Sequence, residues 1–254
     1  MKEPEQELKS LLTEQPFEVL TDRDQLLTVA KTYAYGYVQA TGGIAVLSDF
    51  NKNICHTYSG NFGLAMFALP EYAMDDSSAF ETVVFNGVFK EDLLERHVLE
   101  LRFFHFLKSI PIRNRTDYQA SCLIHFRKAD SSKLAVLHST RYLQYQANGS
   151  VWLGLCTYIP FPHIQGKMEG CIINTVTGET VHKEQYVPHD RLMLSKRQTE
   201  ILSLLAQGVS SKQVADRLNI SVYTVNRHRQ DILSCLRVAN TASAVEIGLR
   251  LNLI

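Results

Sequence analysis

Six consecutive polar residues occupy positions 226–231 of the sequence, in the order Asn, Arg, His, Arg, Gln and Asp. Arg, Asn and Gln are the residue types that form paired hydrogen bonds to base edges in the major groove of DNA. The run therefore indicates a surface that reads DNA sequence. Composition alone is equally consistent with the alternative, a solvated helix face whose charges bind nothing.

Two short amphipathic segments position this run. In Ser210–Leu218 and in Val222–Leu236, the apolar residues recur at intervals that place them on one face of a helix. These residues are Val214, Ala215 and Leu218 in the first segment and Val222, Val225, Ile232, Leu233 and Leu236 in the second. Asn219-Ile220-Ser221 separates the segments, and Ser221 can accept a hydrogen bond from a free N–H as an N-cap does. The pattern predicts a helix-turn-helix.

A longer pattern runs without a gap through residues 194–232, which read LSKRQTEILSLLAQGVSSKQVADRLNISVYTVNRHRQDI. It resembles the DNA-binding domain of the LuxR/GerE family of bacterial transcription regulators. Gln198 and Gln213 stand where that family usually has Glu, Asp231 stands where it usually has Asn, and Asn226 occupies a position often held by Lys. The resemblance implies an all-α, four-helix DNA-binding domain over residues 188–254.

The resemblance also gives the polar residues separate expected roles. The expected base contacts lie within one turn near the start of the second helix and are Asn226, Arg227 and Gln230. The expected contacts to the DNA backbone, which carry affinity rather than sequence preference, are Ser211, Lys212, Thr224 and Arg229. His228 is expected to pack inside the domain or to lie beside a phosphate.

A further apolar face follows in Thr241–Leu253. Ala242, Val245, Leu249 and Leu253 lie on one side of this predicted fourth helix. The face and the family resemblance together predict a homodimer contact on DNA, made by Val245 and Leu249. The alternative is that the face only caps its own domain.

Charge is divided unevenly along a chain of 254 residues whose net charge is zero. Residues 191–254 contain 9 Lys and Arg against 4 Asp and Glu, whereas residues 1–190 contain 17 against 22. A basic module joined to an acidic one is typical of a DNA-binding domain attached to a domain that does not bind DNA. The acidic start and the lack of a membrane-length apolar run favour a cytoplasmic protein.

The five cysteines are expected to be free thiols, since their number is odd and none has C-x-x-C spacing. No spacing of ligands predicts a metal site, and no cofactor is predicted. His97 and His105 on one helix could hold haem, but core or surface histidines are the favoured interpretation. Cys55 and His56 are adjacent on a predicted strand, so their side chains point to opposite faces and form no catalytic pair.

The region before the linker at residues 187–190 predicts an N-terminal helical segment, residues 1–40, and a second domain, residues 41–187. The N-terminal segment contains a helix that is capped by Thr21 and has Leu26, Leu27, Ala30, Ala34 and Val38 as its apolar stripe. Predicted helices of the second domain are Ser77–Phe85 and Lys90–Ser109. Predicted strands are Gly43–Asp49, Asn53–Tyr58, Tyr118–Arg127, Leu134–Gln146, Val151–Ile159, Cys171–Val176 and Thr180–His182.

Two strands, several helices ending in a long one, and three antiparallel strands form the order of a PAS-like sensor domain, which this region resembles in layout. The expected fold class is α+β with an antiparallel sheet, and a GAF-type domain is the structural alternative. The expected function is that of a sequence-specific DNA-binding transcription regulator with a sensing or interaction domain, and not that of an enzyme.

The expected partners are double-stranded DNA, a second copy of the chain on that DNA, RNA polymerase, and an unidentified small-molecule or protein signal. Two other functions remain open at this stage. One is a σ-factor-like promoter-recognition subunit, which would need a helical polymerase-binding region. The other is an enzyme domain fused to a DNA reader.

Overall fold

The computed structural model describes residues 4–128, 130–162, 169–186, 194–236, 238–251 and 253–254. The chain divides into two compact units. One is Leu8–Val181, here called the sheet unit, and the other is His182–Ile254 with the first seven residues, here called the helical unit. The linker predicted at residues 187–190 lies outside the described residues. Among those described, no helix is both long enough and apolar enough to cross a membrane.

The sheet unit contains one antiparallel sheet of seven strands. The strands are β1 (Ile44–Asp49), β2 (Ile54–Ser59), β3 (Tyr72–Asp75), β4 (Tyr118–Arg127), β5 (Lys133–Tyr145), β6 (Val151–Pro160) and β7 (Cys171–Asn174). Their order across the sheet is β3-β2-β1-β6-β5-β4-β7. The first hairpin and the later three-stranded meander therefore meet where β1 pairs with β6, with Leu47 opposite Leu155.

The helices are α1 (Pro4–Thr13), α2 (Arg23–Thr41), α3 (Asn61–Phe67), α4 (Thr82–Phe85), α5 (Lys90–Ser109), α6 (Lys196–Ala206), α7 (Ser211–Leu218), α8 (Val222–Cys235) and α9 (Thr241–Arg250). Short 3-10 helices cover Ile112–Asp117 and Lys183–Gln185. The prediction of α5 is confirmed to the residue, and so is that of β4. The other strands of the first hairpin and the meander begin and end within one residue of their predicted limits.

Helices cover both faces of the sheet at the β1–β6 pair. On one face, the cluster of buried residues comprises Ala30, Ala34 and Val38 of α2 with Ala45, Leu47, Tyr58, Trp152 and Leu153. On the other face, Cys156 pairs with Val46 across the two strands, and its Sγ lies 3.5 Å from Nη2 of Arg96 on α5. Because successive side chains of a strand alternate between faces, α2 and α5 lie on opposite sides of the sheet.

Three local predictions were wrong, and one strand was not predicted. Asp22, not Thr21, is the N-cap of α2, and no side chain caps that helix. The predicted helix Ser77–Phe85 is helical only from Thr82, since its first residues form bends held by hydrogen bonds of Ser77 and Ser78. Thr180–His182 forms a single bridge, from Thr180 to Ile173, instead of a strand. The edge strand β3 was not predicted, because it alternates exposed and half-buried residues and has no buried face.

Asp49 links the end of β1 to α2 and β6 through hydrogen bonds. Its side chain is fully buried, and Oδ2 accepts from Nη2 of Arg23 at 2.7 Å. Oδ1 accepts from the indole N–H of Trp152 at 3.1 Å and from the backbone N–H of Lys52 at 3.1 Å. The Arg23 guanidinium also lies over the Trp152 ring, 5.5 Å from its centre. One carboxylate thus joins a helix, a turn and two strands.

Replacing Asp49 by Ala leaves a guanidinium and an indole N–H without their acceptor in a buried site. We expect Asp49→Ala to lower the free energy of unfolding by about 3 kcal/mol. Trp152 is the only tryptophan of the chain, so its fluorescence in a urea titration follows the sheet unit alone. Asp76→Ala, at an exposed position, is the control and should change stability by less than about 0.5 kcal/mol. Equal midpoints for the two variants would contradict this account.

Candidate nucleic-acid interface

Each of the helices α6 to α9 starts with a side-chain cap. Ser195 Oγ accepts from the backbone N–H of Gln198 at the start of α6, and Ser210 Oγ accepts from that of Gln213 at the start of α7. Ser221 does the same for Thr224 at the start of α8, which confirms its prediction as an N-cap. Asn240 caps α9 through the N–H of Ser243 at 2.9 Å. Four consecutive caps define where the helices begin.

The two glutamines that depart from the family pattern complete capping boxes. Gln198 Oε1 accepts from the backbone N–H of Ser195 at 2.8 Å, and Gln213 Oε1 accepts from that of Ser210 at 3.0 Å. An amide oxygen accepts this bond as a carboxylate oxygen does. The replacements therefore keep the geometry of the helix starts and remove only two negative charges.

A tight turn sets the angle between α7 and α8. Asn219 ends α7 in the left-handed conformation, with φ of 51°. Asn tolerates this conformation better than most residues other than Gly. The backbone N–H of Ile220 then donates to the carbonyl of Ala215 at 3.0 Å, and Ser221 caps the next helix. The residues that were predicted to separate the two helices form the turn of a helix-turn-helix.

A small apolar core and one arginine hold the helices against each other. The buried core residues of α6 to α9 are Ile201, Leu202, Val214, Ala215, Val225, Ile232, Cys235, Ala244 and Ile247. Arg197 on α6 donates from Nη2 to the carbonyl of Leu218 at 2.7 Å, and its Nη1 lies 2.8 Å from Glu200. The bond to Leu218 satisfies a carbonyl at the end of α7 that has no partner within its own helix.

The predicted base-contact residues share an exposed ridge along α8. Asn226, Arg227 and Gln230 are all exposed, whereas Val225 behind them is fully buried. Tyr223, which the sequence analysis did not select, lies on the same ridge and is 77% exposed. Its position four residues before Arg227 and three before Asn226 was the available signal, because residues at these spacings are neighbours on a helix. The ridge presents one amide, one guanidinium, a second amide and a phenol.

The predicted backbone-contact residues occupy less uniform surroundings. Lys212 is exposed, as a phosphate contact requires. Ser211 and Thr224 are half-buried, and Thr224 Oγ1 lies 2.8 Å from Ser221 Oγ. Arg229 is half-buried and donates from Nη1 to Ser211 Oγ and from Nη2 to Thr241 Oγ1, each at 2.7 Å. Its guanidinium therefore bridges α8 to the first residues of α7 and α9.

The apolar face of α9 divides into exposed and buried parts. Leu249 is 56% exposed, Ala242 is exposed and Val245 is half-buried. Leu253 was expected on the same free face, but it is buried. Its backbone N–H donates to the carbonyl of Gly248, which turns the chain after α9 and carries Leu253 inward. The exposed apolar strip is thus shorter than the sequence pattern indicated.

The histidines that were considered as haem ligands belong to the sheet unit. His97 on α5 is buried, and its ring stands edge-on to that of Phe85 with 5.3 Å between the ring centres. His105 contacts the ring of Phe104 in the same manner at 5.6 Å. In the helical unit, His228 is half-buried, which suits the expected packing role. None of the five cysteines forms a disulfide bond.

Residues 192–247 match the family described as bacterial regulatory proteins, luxR family. The oxygen regulatory protein NreC of Staphylococcus carnosus is 32% identical over 92 residues, which are 36% of this chain and 42% of that protein. NreC of Staphylococcus aureus strain JH9 is 39% identical over 62 residues, which are 24% of this chain and 29% of that protein. The chain thus spans less than half the length of these relatives.

Two solved structures align with most of the chain at low similarity. The Vibrio cholerae VqmA dimer in the absence of target DNA has a TM-score of 0.29 and 13% identity, with 89% of this chain and 88% of that one covered. Escherichia coli SdiA has a TM-score of 0.27 and 13% identity, with 99% and 97% covered. Structural similarity at this level does not establish a shared fold. The family match over residues 192–247 and the capped α7–turn–α8 geometry both indicate a helix-turn-helix. The chain therefore contains a helix-turn-helix domain of the luxR family of bacterial regulatory proteins.

Proposed function

We propose that this chain is a sequence-specific DNA-binding transcription regulator that binds DNA as a homodimer. The observation that carries the proposal is the exposed ridge of Tyr223, Asn226, Arg227 and Gln230 on the second helix of the helix-turn-helix. Three of these four side chains are of the types that pair with base edges. A helix face that only contacts solvent needs charged side chains. It does not need amide and guanidinium groups gathered on one ridge.

Within this proposal, the remaining polar residues hold the reading helix on the DNA. Exposed Lys212 provides a point charge to a phosphate, and Ser211 and Thr224 offer hydroxyl groups at the starts of their helices. Arg229, expected from the sequence to bind phosphate, has two hydrogen bonds inside its domain. Its main contribution is to fix α8 relative to α7 and α9, and any phosphate contact is additional to that role.

The sheet unit is proposed to be a PAS-like sensing or interaction domain. The five central strands, in the order β2-β1-β6-β5-β4, follow the chain as a hairpin, a set of helices ending in the long α5, and a three-stranded meander. This arrangement supports the PAS-like prediction over a receiver-type parallel sheet, since every strand pairing is antiparallel. An antiparallel sheet is also unlike the helical polymerase-binding region that a σ-factor-like subunit would need.

Base reading and phosphate binding can be separated by two substitutions at exposed residues. We expect Arg227→Ala to relax the preference at one base pair by about 1–3 kcal/mol and to leave the affinity for random DNA nearly unchanged. Lys212→Ala should weaken binding to all sequences alike and reduce the slope of log affinity against log salt by about one unit. Binding-site selection with the full-length chain, followed by titrations at several salt concentrations, measures both effects.

The proposal of sequence-specific binding fails if the wild-type chain selects no common site from random DNA at low salt. If a site is selected but Arg227→Ala retains the wild-type preference and loses general affinity, Arg227 is a phosphate contact and the assigned reading face is wrong. The exposed Gln207→Ala variant, placed after α6 and away from the α8 ridge in sequence, is the control for nonspecific effects of substitution.

The homodimer contact is proposed to involve Val245 and Leu249 of α9. We expect Leu249→Glu to remove cooperative binding to DNA with two half-sites. The protein concentration at half-saturation should rise roughly tenfold, because a carboxylate would be placed in an apolar contact. Gln207→Glu adds the same charge at another exposed position and should retain cooperativity. Electrophoretic mobility titrations with one-half-site and two-half-site DNA provide the comparison. Cooperativity that survives Leu249→Glu would indicate that the face of α9 only covers its own domain.

A further inference from the structure

A cluster of buried polar side chains lies between α5 and the sheet, and the proposed DNA-binding function does not use it. Its members are Glu81, Arg96, Glu100, His138, Cys156 and Tyr158, each no more than 5% exposed. Arg96 and Glu100 lie on α5, His138 on β5, Cys156 and Tyr158 on β6, and Glu81 at the start of α4. Buried polar groups in such number are costly unless they serve one another or a ligand.

Three of these residues bring different ligand atoms together. A carboxylate oxygen of Glu81, a ring nitrogen of His138 and Sγ of Cys156 all lie within 4.8 Å of one another. Metal bonds of about 2.0–2.3 Å in a tetrahedral site place ligand atoms about 3.3–3.8 Å apart. The three atoms would therefore need to approach one another by at most about 1.0–1.5 Å.

We propose that Glu81, His138 and Cys156 bind one divalent transition-metal ion, with Zn²⁺ as the best match. Imidazole, thiolate and carboxylate are all ligands of Zn²⁺, whereas Mg²⁺ and Ca²⁺ select oxygen ligands. The site rests on the geometry of the sheet unit alone. It is independent of whether the helical unit reads DNA.

The neighbours of the three ligands have the contacts that a metal site requires. Nδ1 of His138 lies 3.8 Å from Cys122 Sγ, and its Nε2 lies 3.4 Å from Thr140 Oγ1. Thr140 Oγ1 is in turn 3.5 Å from Cys156 Sγ. With Nδ1 directed to Cys122, Nε2 is the nitrogen that faces the proposed metal position. A partner on the second ring nitrogen is what orients metal-bound histidines.

The carboxylate of Glu81 is held in the same way. Tyr158 donates its hydroxyl hydrogen to Glu81 Oε1 at 2.5 Å, and Arg96 donates from Nη2 to the same oxygen at 3.2 Å. A metal bond to Oε2 would preserve both hydrogen bonds. The site is thus formed around Glu81 without displacing its present partners.

Charge balance favours a cation in this cluster. Arg96 lies 2.8 Å from Glu100 and 3.2 Å from Glu81, so one guanidinium faces two carboxylates. With both carboxylates ionised, this buried group carries a net charge of −1. A divalent ion together with a Cys156 thiolate brings the sum to zero. The Arg96 guanidinium opposes a nearby cation, but its Nη2 is 3.5 Å from Cys156 Sγ, where its positive charge would stabilise the thiolate.

Binding requires the thiol to lose its proton. Burial raises the pKa of Cys156 well above its ordinary value, while burial keeps His138 neutral by lowering its pKa. The S–H bond breaks, the sulfur–metal bond forms, and the proton leaves to solvent. A proton on Glu100, whose pKa burial also raises, is the competing way to neutralise the cluster. A metal-binding experiment distinguishes the two.

Co²⁺ is the appropriate probe, because a thiolate bound to Co²⁺ gives a near-ultraviolet charge-transfer band. The full-length chain is treated with chelator, dialysed and titrated with Co²⁺ and then Zn²⁺, and bound metal is counted by mass spectrometry. We expect one Co²⁺ per chain, a thiolate band, and loss of that band when Zn²⁺ replaces Co²⁺. Cys156→Ser should abolish the band, whereas Cys55→Ser, which removes a buried thiol outside the cluster, should retain it.

His138→Gln provides the second variant if Cys156→Ser does not fold, with Trp152 fluorescence as the check on folding. We expect it to weaken Co²⁺ binding by at least about 100-fold, since loss of even an outer partner costs 10- to 100-fold. If less than one Co²⁺ binds per chain and no thiolate band appears, the proposal is overturned, and the protonated cluster is the correct description. A band that survives Cys156→Ser, or an unchanged Co²⁺ affinity in His138→Gln, would also overturn it.

Discussion

The guanidinium of Arg229 is the side-chain interaction that fixes α8 of the helical unit against both α7 and α9. It reaches from α8 to Ser211 at the start of α7 and to Thr241 at the start of α9. The starts of these helices are themselves fixed by N-caps, so the arginine joins points that are already well defined. A helix can present a set of side chains to base edges only if its orientation is constrained. Here one side chain constrains it relative to both neighbours.

In the sheet unit, the main constraint on the structure is that the central strands are buried on both faces of the sheet. The pair of β1 and β6 is covered by α2 on one side and by α5 on the other, so every residue of β1 is buried. Asp49 can be buried there because Arg23, Trp152 and Lys52 satisfy it. The same requirement explains the acidic and basic groups under α5, where Arg96 is buried only in the company of two carboxylates.

Periodicity and capping chemistry were sufficient to predict much of this structure from the sequence. The limits of α5 and β4 follow from apolar spacing that ends at Pro111 and Arg127, and the cap at Ser221 follows from its hydroxyl. The exposure of Asn226, Arg227 and Gln230 follows from the buried position of Val225 beside them. These features are local, so a single sequence contains them.

Features that depend on distant residues were not predictable in this way. Charged side chains such as those of Arg96 and Glu100 are expected at the surface, and only the fold shows that Glu81 and Tyr158 accompany them in the interior. Glu81, His138 and Cys156 are separated by 57 and 18 positions in the chain and have no ligand-like spacing, but α4, β5 and β6 bring them together. The two hydrogen bonds of Arg229 and the inward turn of Leu253 likewise depend on contacts between helices.

The two edges of the sheet have a consequence for how copies of this chain meet at high concentration. Each edge strand, β3 and β7, contains only four residues. A short edge offers few unpaired backbone groups onto which a strand from another molecule could be added, and this limits amyloid-like growth through the sheet. Short edge strands therefore disfavour polymerisation by strand addition, both during synthesis and at high protein concentration. Any finite, symmetric association is left to side-chain surfaces, where single substitutions can tune it.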